Sequence, residues 1–345
     1  MPHDPFVHQL RGLCLLGVEE LRDLGRCRVP GSENHESHGA LDQRSSVAWD
    51  PEAVAAFVDR HTPLALDAVD LLGTGTESVA WRIDGGWVAR FALTPAASQS
   101  LDREVALAPL LGAALNTPVP RFEYVIRTPD GVPTMSLYRM LVGVPLSVDA
   151  LESLSDKGRT RALDHLAAIL DALRMVSPDA AAGAGASVRP DHGFGHPGQR
   201  DLHHRHATLL GAANVERVEA LWIEYERSGI SARHSRRVLA HTDLKPEHVL
   251  HDPATGRLTG VLDWGDACLS HPDFDPAIIG LFFSPDIRDQ VLARLTTADT
   301  APVTPTARLC VAVRWLTDLD VEVLTGDESF QAFCVAGLSA HLDGV

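Results

Sequence analysis

Cysteine is scarce in this chain: five in 345 residues, scattered at Cys14, Cys27, Cys268, Cys310 and Cys334. They are odd in number and form neither a CxxC pair nor a metal-ligand spacing. That argues against a disulfide framework or a thiolate zinc centre and suits reduced thiols in a cytoplasm. Long apolar runs are missing too, since none approaches the roughly 18 residues that span a bilayer. The N-terminus lacks the basic start and apolar stretch of an export signal, so a cytoplasmic location is expected. Positive charge is in deficit, with 30 Lys and Arg against 46 Asp and Glu, a net charge of −16. Such a surface repels phosphates, which argues against nucleic acid and acidic membranes and suits a cationic partner. What is present is ordinary for a soluble globular protein, 45% apolar and 22% charged, in a chain long enough for two lobes. No internal repeat occurs.

Residues 1–50 read as a flexible extension, in which one amphipathic patch (Leu10 to Leu24) precedes the polar run Pro30 to Gly39. From Leu64 the texture turns to β. Ala68–Leu72, Val79–Ile83 and Trp87–Phe91 read as strands, with a glycine hairpin at Asp84-Gly-Gly86. A helix from Asp102 to Leu115 and two further strands, Arg121–Ile126 and Thr134–Leu141, complete a β-rich lobe over 51–141. Helical periodicity dominates 142–345. Arg161 to Val176 carries an apolar stripe, Asn214 to Arg227 is a further helix, Ala180 to Ser187 reads as a loop, and Val238 to Leu262 is strand-rich. The fold class is α+β.

The chemistry concentrates in His241-Thr-Asp-Leu-Lys-Pro-Glu-His248, followed by Leu262-Asp-Trp-Gly265. Phosphoryl transfer needs a carboxylate to take the hydroxyl proton and cations to absorb charge on the phosphates. Asp243 suits the first role. Asp252-Pro-Ala-Thr-Gly256 reads as a turn whose hairpin brings Asp243 and Asp263 to one edge.

The two motifs, in this order and spacing, resemble the catalytic loop and metal-binding segment of the protein-kinase superfamily. Leu262-Asp-Trp-Gly-Asp-Ala267 runs directly into His271-Pro-Asp-Phe-Asp-Pro-Ala277, leaving no room for an activation segment, and so resembles the aminoglycoside phosphotransferase family. That resemblance covers about Leu64 to Gly280. It implies a bilobal protein-kinase-like fold with a β-rich N-lobe and a mainly helical C-lobe. It also implies magnesium, and ATP or GTP as donor. Asp243 would be the catalytic base, Lys245 would touch the transferred phosphate, and His241 would pin the backbone near Asp263. His248 stands where the family most often has Asn, and with Asp263 it would bind the metal. Gly73, Thr74, Gly75, Thr76 and Ser78 would wrap the phosphates, with Arg90 in place of the family's lysine and Glu104 as its acidic partner. Tyr138, Met140 and Leu141 would form the hinge facing the nucleobase, and Asp275 would brace the catalytic loop.

Other features carry less. His192, His196, His203, His204 and His206 gather around one loop without a cysteine, a tight carboxylate partner or a HExxH helix, so zinc is not the expected reading. Asp318, Asp320, Glu322, Asp327 and Glu328 lie where the family's acceptor pocket forms, and carboxylates there suit an amine-bearing substrate, although each also reads as a solvated helix face. The expected function is phosphate transfer to a hydroxyl of a small acceptor, first an aminoglycoside or macrolide antibiotic. The alternatives are a metabolic alcohol kinase for choline-, homoserine- or sugar-like acceptors, and a silent kinase-like binding protein.

Overall fold

The computed structural model describes residues 49–343 except 65, 67, 76, 77, 85, 189–196, 229–236, 298–304 and 327. The amphipathic patch at Leu10 to Leu24, and with it the rest of 1–48, falls outside the described residues. The chain forms two compact units. Of the described residues, the smaller holds those from Trp49 to Gln99 together with Glu123–Met140, and the larger holds Ser100–Phe122 and those from Leu141 onward.

The smaller unit is a five-stranded sheet covered on one face by a helix. Helix α1 (Pro51–His61) begins with Asp50, whose carboxylate accepts the Ala53 N–H at 2.8 Å, and Pro51 occupies the first turn. Both are strong start signals, and the helix fills the stretch between the expected extension and the first expected strand, to which the sequence reading assigns no element. Strands β1 (Val69–Thr74), β2 (Ser78–Ile83), β3 (Trp87–Ala92), β4 (Phe122–Arg127) and β5 (Pro133–Arg139) order as β1-β2-β3-β5-β4. Alternation puts Val79, Trp81, Ile83, Trp87, Ala89, Phe91, Met135 and Leu137 on the face that Val54 and Val58 of α1 cover. Trp49 packs on Phe91 with ring centroids 3.9 Å apart and extends this core.

Helix α2 (Pro95–Ala114) passes from the smaller unit into the larger. In the larger unit, strand β6 (Val144–Pro145) and helices α3 (Val148–Ser153) and α4 (Asp156–Met175) follow. The expected stripe of α4 is buried at Leu163, Leu166, Ile169, Leu170 and Leu173. Helix α5 (Pro178–Gly183) corrects the loop expected near Ala180: Pro178 in the first turn and three alanines outweigh the glycines that follow. Strand β7 (Ser187–Val188) and helices α6 (Leu202–Arg205) and α7 (Ala207–Ser228) lead to the catalytic segment. Gly211 kinks α7 at φ 76°. Strands β8 (Val238–Ala240), β9 (Val249–His251), β10 (Leu258–Val261) and β11 (Cys268–Ser270) frame that segment, and helices α8 (Phe274–Phe282), α9 (Pro285–Leu292), α10 (Pro305–Thr325) and α11 (Glu328–Asp343) complete the unit. No helix among the described residues is long and apolar enough to cross a membrane.

Candidate active site

The β9–β10 hairpin decides where the two acidic motifs meet. Val249 pairs with Val261 and His251 with Leu258, and the Leu262 N–H donates to the His248 carbonyl at 2.8 Å. The connecting turn is the expected one: Asp252 accepts from the Ala254 N–H at 2.9 Å and from the Thr255 hydroxyl at 2.8 Å. Gly256 sits at φ 69° with its α-carbon against the Gly158 backbone, a conformation and a contact that leave no space for a Cβ. Asp263 therefore emerges beside His248, with 3.5 Å from its Oδ2 to His248 Nε2.

The loop carrying Asp243 is held by buried polar groups. Asp275, near the start of α8, accepts the His241 N–H at 2.8 Å on one carboxylate oxygen and the Thr242 N–H at 2.7 Å on the other. This fork holds Thr242 at φ 70°, a left-handed conformation costly for a β-branched residue. Its hydroxyl donates to the Asp266 carbonyl at 2.9 Å. His241 is fully buried, donates from Nε2 to the Leu262 carbonyl at 2.9 Å and accepts the Asp243 N–H on Nδ1 at 3.2 Å. Burial lowers its pKa and keeps it neutral, the form this bonding pattern requires. The Trp264 ring lies tilted against the His241 ring with centroids 4.4 Å apart, while its backbone N–H donates to the Glu104 carboxylate at 3.3 Å. Asp263 also adopts positive φ, 61°, which an aspartate tolerates better than most residues.

Asp243 is buried at 6% exposure. Its Oδ2 lies 3.1 Å from Lys245 Nζ and 3.4 Å from His248 Nδ1, while Oδ1 is sealed from solvent and has no hydrogen-bond partner among the described residues. Burial pushes the carboxyl pKa up, but the His248, Lys245 and Arg314 charges outweigh it and hold the group below its ordinary value. Asp243 is thus ionised, with one oxygen committed to Lys245 and the other unpartnered among the described residues.

His248 Nδ1 donates to the Asp243 carbonyl at 2.9 Å, so that in the neutral ring, the form that binds metal, the Nε2 lone pair faces the Asp263 carboxylate. Adjacent ligands of an octahedral magnesium stand about 3 Å apart, so a nitrogen and an oxygen at this spacing fit a shared cation. Arg103 holds the following backbone by donating to the Gly265 carbonyl at 3.1 Å.

Of the residues expected to bind nucleotide, Glu104 lies in the larger unit and accepts from Trp264. Leu141, also there, packs against Gly260. The others belong to the smaller unit. Gly73 and Thr74 are paired within β1 rather than in a free loop, and the Gly75 N–H donates to the Ser78 carbonyl at 2.8 Å. The β1–β2 ladder runs up to the pair Thr74 and Val79 on either side of this segment; Thr76 lies outside the described residues. Arg90 is on the sheet face opposite α1 and donates to the Ser78 hydroxyl at 3.0 Å. Tyr138 is a buried member of β5, and the Met140 N–H is committed to the Gly86 carbonyl at 2.7 Å.

The carboxylates expected to meet a cationic acceptor have internal partners. Asp318 is bonded to Arg314, four residues before it on α10, at 3.2 Å; Asp320 is bonded to His206 at 2.6 Å and Arg205 at 3.1 Å. Glu322 is buried, Glu328 is exposed at the start of α11, and Asp327 lies outside the described residues. Sequence reasoning missed Arg314 altogether, although its spacing to Asp318 is the legible signal of a helical ion pair. Of the histidine group, His192 and His196 lie outside the described residues. His203, His204 and Glu219 offer ligand atoms within 4.8 Å of one another. The Arg200 guanidinium already grips both Glu219 oxygens, at 2.6 and 2.7 Å, and places a cation where a metal would sit.

A family model described as the phosphotransferase enzyme family matches residues 69–310. No curated protein matches the chain. Solved structures do, at low identity. The GDP and kanamycin complex of an APH(2″) enzyme superposes with TM-score 0.73 at 23% identity, covering 84% of this chain and 98% of that one. A macrolide 2′-phosphotransferase from Brachybacterium faecium gives 0.61 at 22% identity, covering 84% and 97%. An ADP-bound aminoglycoside phosphotransferase gives 0.63 at 18% identity, covering 85% and 97%. The fold is that of these kinase-like enzymes.

Proposed function

Since the chain belongs to the phosphotransferase enzyme family, we propose that it moves the γ-phosphoryl group of ATP or GTP onto a hydroxyl of a small antibiotic of the aminoglycoside or macrolide kind. One observation carries the reading: Asp243 Oδ1 is a buried, unpartnered oxygen on an ionised carboxylate whose other oxygen is fixed by Lys245.

In this mechanism the acceptor hydroxyl donates to Asp243 Oδ1, which aims the oxygen lone pair at the γ-phosphorus. As the new P–O bond forms, the proton passes to Asp243. The bond from phosphorus to the β,γ-bridging oxygen breaks, and its electron pair leaves with the nucleoside diphosphate. A carboxylate held below its ordinary pKa is a weak base, so Asp243 mainly orients the hydroxyl and receives its proton late, as suits a loose transition state. Lys245 steadies the carboxylate and carries positive charge to the reacting group. His248 and Asp263 would hold magnesium, which when bound neutralises charge on the donor's phosphates. Arg90 and the 73–78 hairpin are assigned to the donor's phosphates, and the segment from Tyr138 to Leu141 to its base.

Structures of similar fold hold GDP, ADP and kanamycin, which supports a nucleotide donor and an antibiotic acceptor. A second reading, a metabolic alcohol kinase, is favoured by the internal pairing of Asp318 and Asp320, which lowers the local negative charge available to a cationic acceptor. The test is a coupled transfer assay with ATP and GTP against kanamycin, gentamicin, streptomycin, a macrolide, choline and glucose. Turnover confined to the antibiotics supports the first reading, turnover confined to choline or glucose replaces it with the second, and no nucleotide turnover at all removes both.

A further inference from the structure

Two consecutive side chains of α2 close on the backbone directly after Asp263. Glu104, 2% exposed, accepts the Trp264 N–H at 3.3 Å, and Arg103 donates from Nε to the Gly265 carbonyl at 3.1 Å. An acid thus takes a backbone donor and a base takes a backbone acceptor one residue further on, so both bonds are charge-assisted. The Arg103 guanidinium is itself fixed, since Nη2 donates to the Ser100 hydroxyl at 3.0 Å. Helix and segment are in direct contact: a Cβ on Gly265 would meet the Ser100 Cβ at 3.1 Å. All of these groups belong to the larger unit.

Asp263 therefore sits between two held stretches. Before it, the Leu262 N–H donates to the His248 carbonyl at 2.8 Å and the Leu262 carbonyl accepts from His241 Nε2 at 2.9 Å. After it, the Trp264 indole N–H donates to the Val261 carbonyl at 3.1 Å, and α2 grips the two backbone groups just named. Between them Asp263 keeps φ at 61°, which an aspartate tolerates but does not prefer. The rigidity has a chemical use. Magnesium demands near-ideal octahedral geometry, whereas calcium accepts about six to eight oxygen ligands in flexible arrangements. Phosphates and water adjust to either ion, so what the chain itself sets is the placement of His248 Nε2 against Asp263 Oδ2, 3.5 Å apart. The His248 ring is fixed by its Nδ1 bond to the Asp243 carbonyl. The freedom that remains is that of Asp263, and the α2 grip removes it.

We propose that Arg103 is a positioning residue that sets metal preference: through the Gly265 carbonyl it keeps the Asp263 carboxylate rigid, and that rigidity favours magnesium over calcium beside the donor's phosphates. Arg103 acts through the backbone and is not itself a ligand. The proposal rests on the reading above that His248 and Asp263 hold the metal.

The experiment measures binding rather than turnover. The full chain is titrated calorimetrically with ADP and with GDP, the diphosphates held in structures of similar fold, without metal and over a range of magnesium or calcium chloride. Chelation by free nucleotide is common to every protein compared and cancels. The variants are Arg103→Gln, Arg103→Lys and Ser100→Ala, with Arg161→Gln as control. Arg161 of α4 makes a matching bond, from Nη1 to the Thr255 carbonyl at 3.1 Å, at the turn end of the hairpin that leads to Asp263. Arg103→Gln is expected to lower magnesium affinity by about 10- to 100-fold, the usual scale for a group that orients a metal ligand. Calcium affinity and metal-free nucleotide affinity should stay within about threefold. Ser100→Ala should shift the magnesium-to-calcium ratio in the same direction by less, and lysine at 103, with a charge but no fork, should recover part of the loss. Arg161→Gln should leave the ratio at the parent's value.

An unchanged magnesium affinity in folded Arg103→Gln overturns the proposal, and so does an equal loss for both metals. The same holds if Arg161→Gln shifts the ratio as far, or if metal-free nucleotide affinity falls with the magnesium affinity. Calcium that supports binding on neither parent nor variants also overturns it, because rigidity is then not what discriminates. If Arg103→Gln does not fold, Ser100→Ala decides, and an unchanged ratio there overturns the proposal. A parent that binds nucleotide equally with and without magnesium removes the metal assignment of His248 and Asp263, and the proposal with it. A parent that binds neither diphosphate removes the donor reading as well.

Discussion

Replacing Asp275 should unfasten the catalytic loop without touching any group assigned to substrate. Its carboxylate accepts two consecutive backbone N–H groups, at 2.8 and 2.7 Å, and is 4% exposed. Asp275→Ala leaves both donors buried and unpaired, at about 1–3 kcal/mol each. The left-handed backbone of Thr242 stores a further 1–2 kcal/mol or so that the fork no longer holds in place. The expected loss is roughly 2–6 kcal/mol of stability, and relaxation of the loop should cut kcat even where the protein stays folded. Asp275→Asn keeps one acceptor oxygen but turns an NH₂ toward the other N–H, so its cost should be similar or only modestly smaller. Thr242→Gly is the internal control: glycine accepts φ 70° freely but forfeits the bond to the Asp266 carbonyl, and the two effects nearly cancel. Urea unfolding at constant m-value measures the first quantity and steady-state kinetics the second. An Asp275→Ala protein within about 1 kcal/mol of the parent and fully active would refute the fork as the loop's support.

Asp243→Asn should lower kcat by roughly 10²–10⁴ with nucleotide affinity nearly unchanged; near-parental turnover in pure protein rules out its role as proton acceptor. Asp263→Ala should abolish magnesium-dependent nucleotide binding in a titration, whereas His248→Asn should retain activity because an amide can still donate to the Asp243 carbonyl and offer an oxygen to the metal; equal loss in both would show that His248 is not a replaceable ligand. Burial pushes Asp318 up to about 6, with the Asp243 charge adding to it against the pull of Arg314. A raised carboxyl pKa contributes stability that is complete below about 4 and is lost as pH rises through about 6, so raising pH from 4 to 7 should move the balance toward Asp318→Asn by about 1–3 kcal/mol; a stability difference flat across that window removes the assignment. Deleting Met1–Ser45 should leave the melting temperature near that of the parent, while a deletion reaching Thr62 strips Val54 and Val58 from the sheet and should prevent folding of the smaller unit; a stable, active product of the longer deletion would show that α1 is dispensable.

The legible parts of this protein are those encoded locally. The stripe of α4 repeats every three to four residues, so its buried face could be read from Leu163 to Leu173. The turn at Asp252 to Gly256 uses residues whose side chains make turns by themselves. Helix α1 was missed although Asp50-Pro51 marks its start, because a short helix beside strands gives little periodicity to weigh against β texture. The segment from Gly73 to Ser78 reads either as a phosphate-wrapping loop or as a glycine hairpin between strands, and the pairing of β1 with β2 shows how far the sheet extends into it.

The sequence by itself determined the class of chemistry. A His-x-Asp, a histidine five residues on and a second aspartate twenty residues after the first form a linear pattern, and the hairpin between them is local enough to bring His248 to Asp263. The match of residues 69–310 to a phosphotransferase family model agrees with that reading. What tertiary structure alone decided is which charges are spent. Asp318, Asp320 and Glu219 look alike in one dimension, but Arg314, Arg205 with His206, and Arg200 neutralise them from positions 4 to 115 residues away. Whether a carboxylate is a ligand site or half of an ion pair depends on the nearest cation in space. Coulomb attraction and desolvation act over a few ångströms regardless of sequence separation, and no linear pattern records that distance.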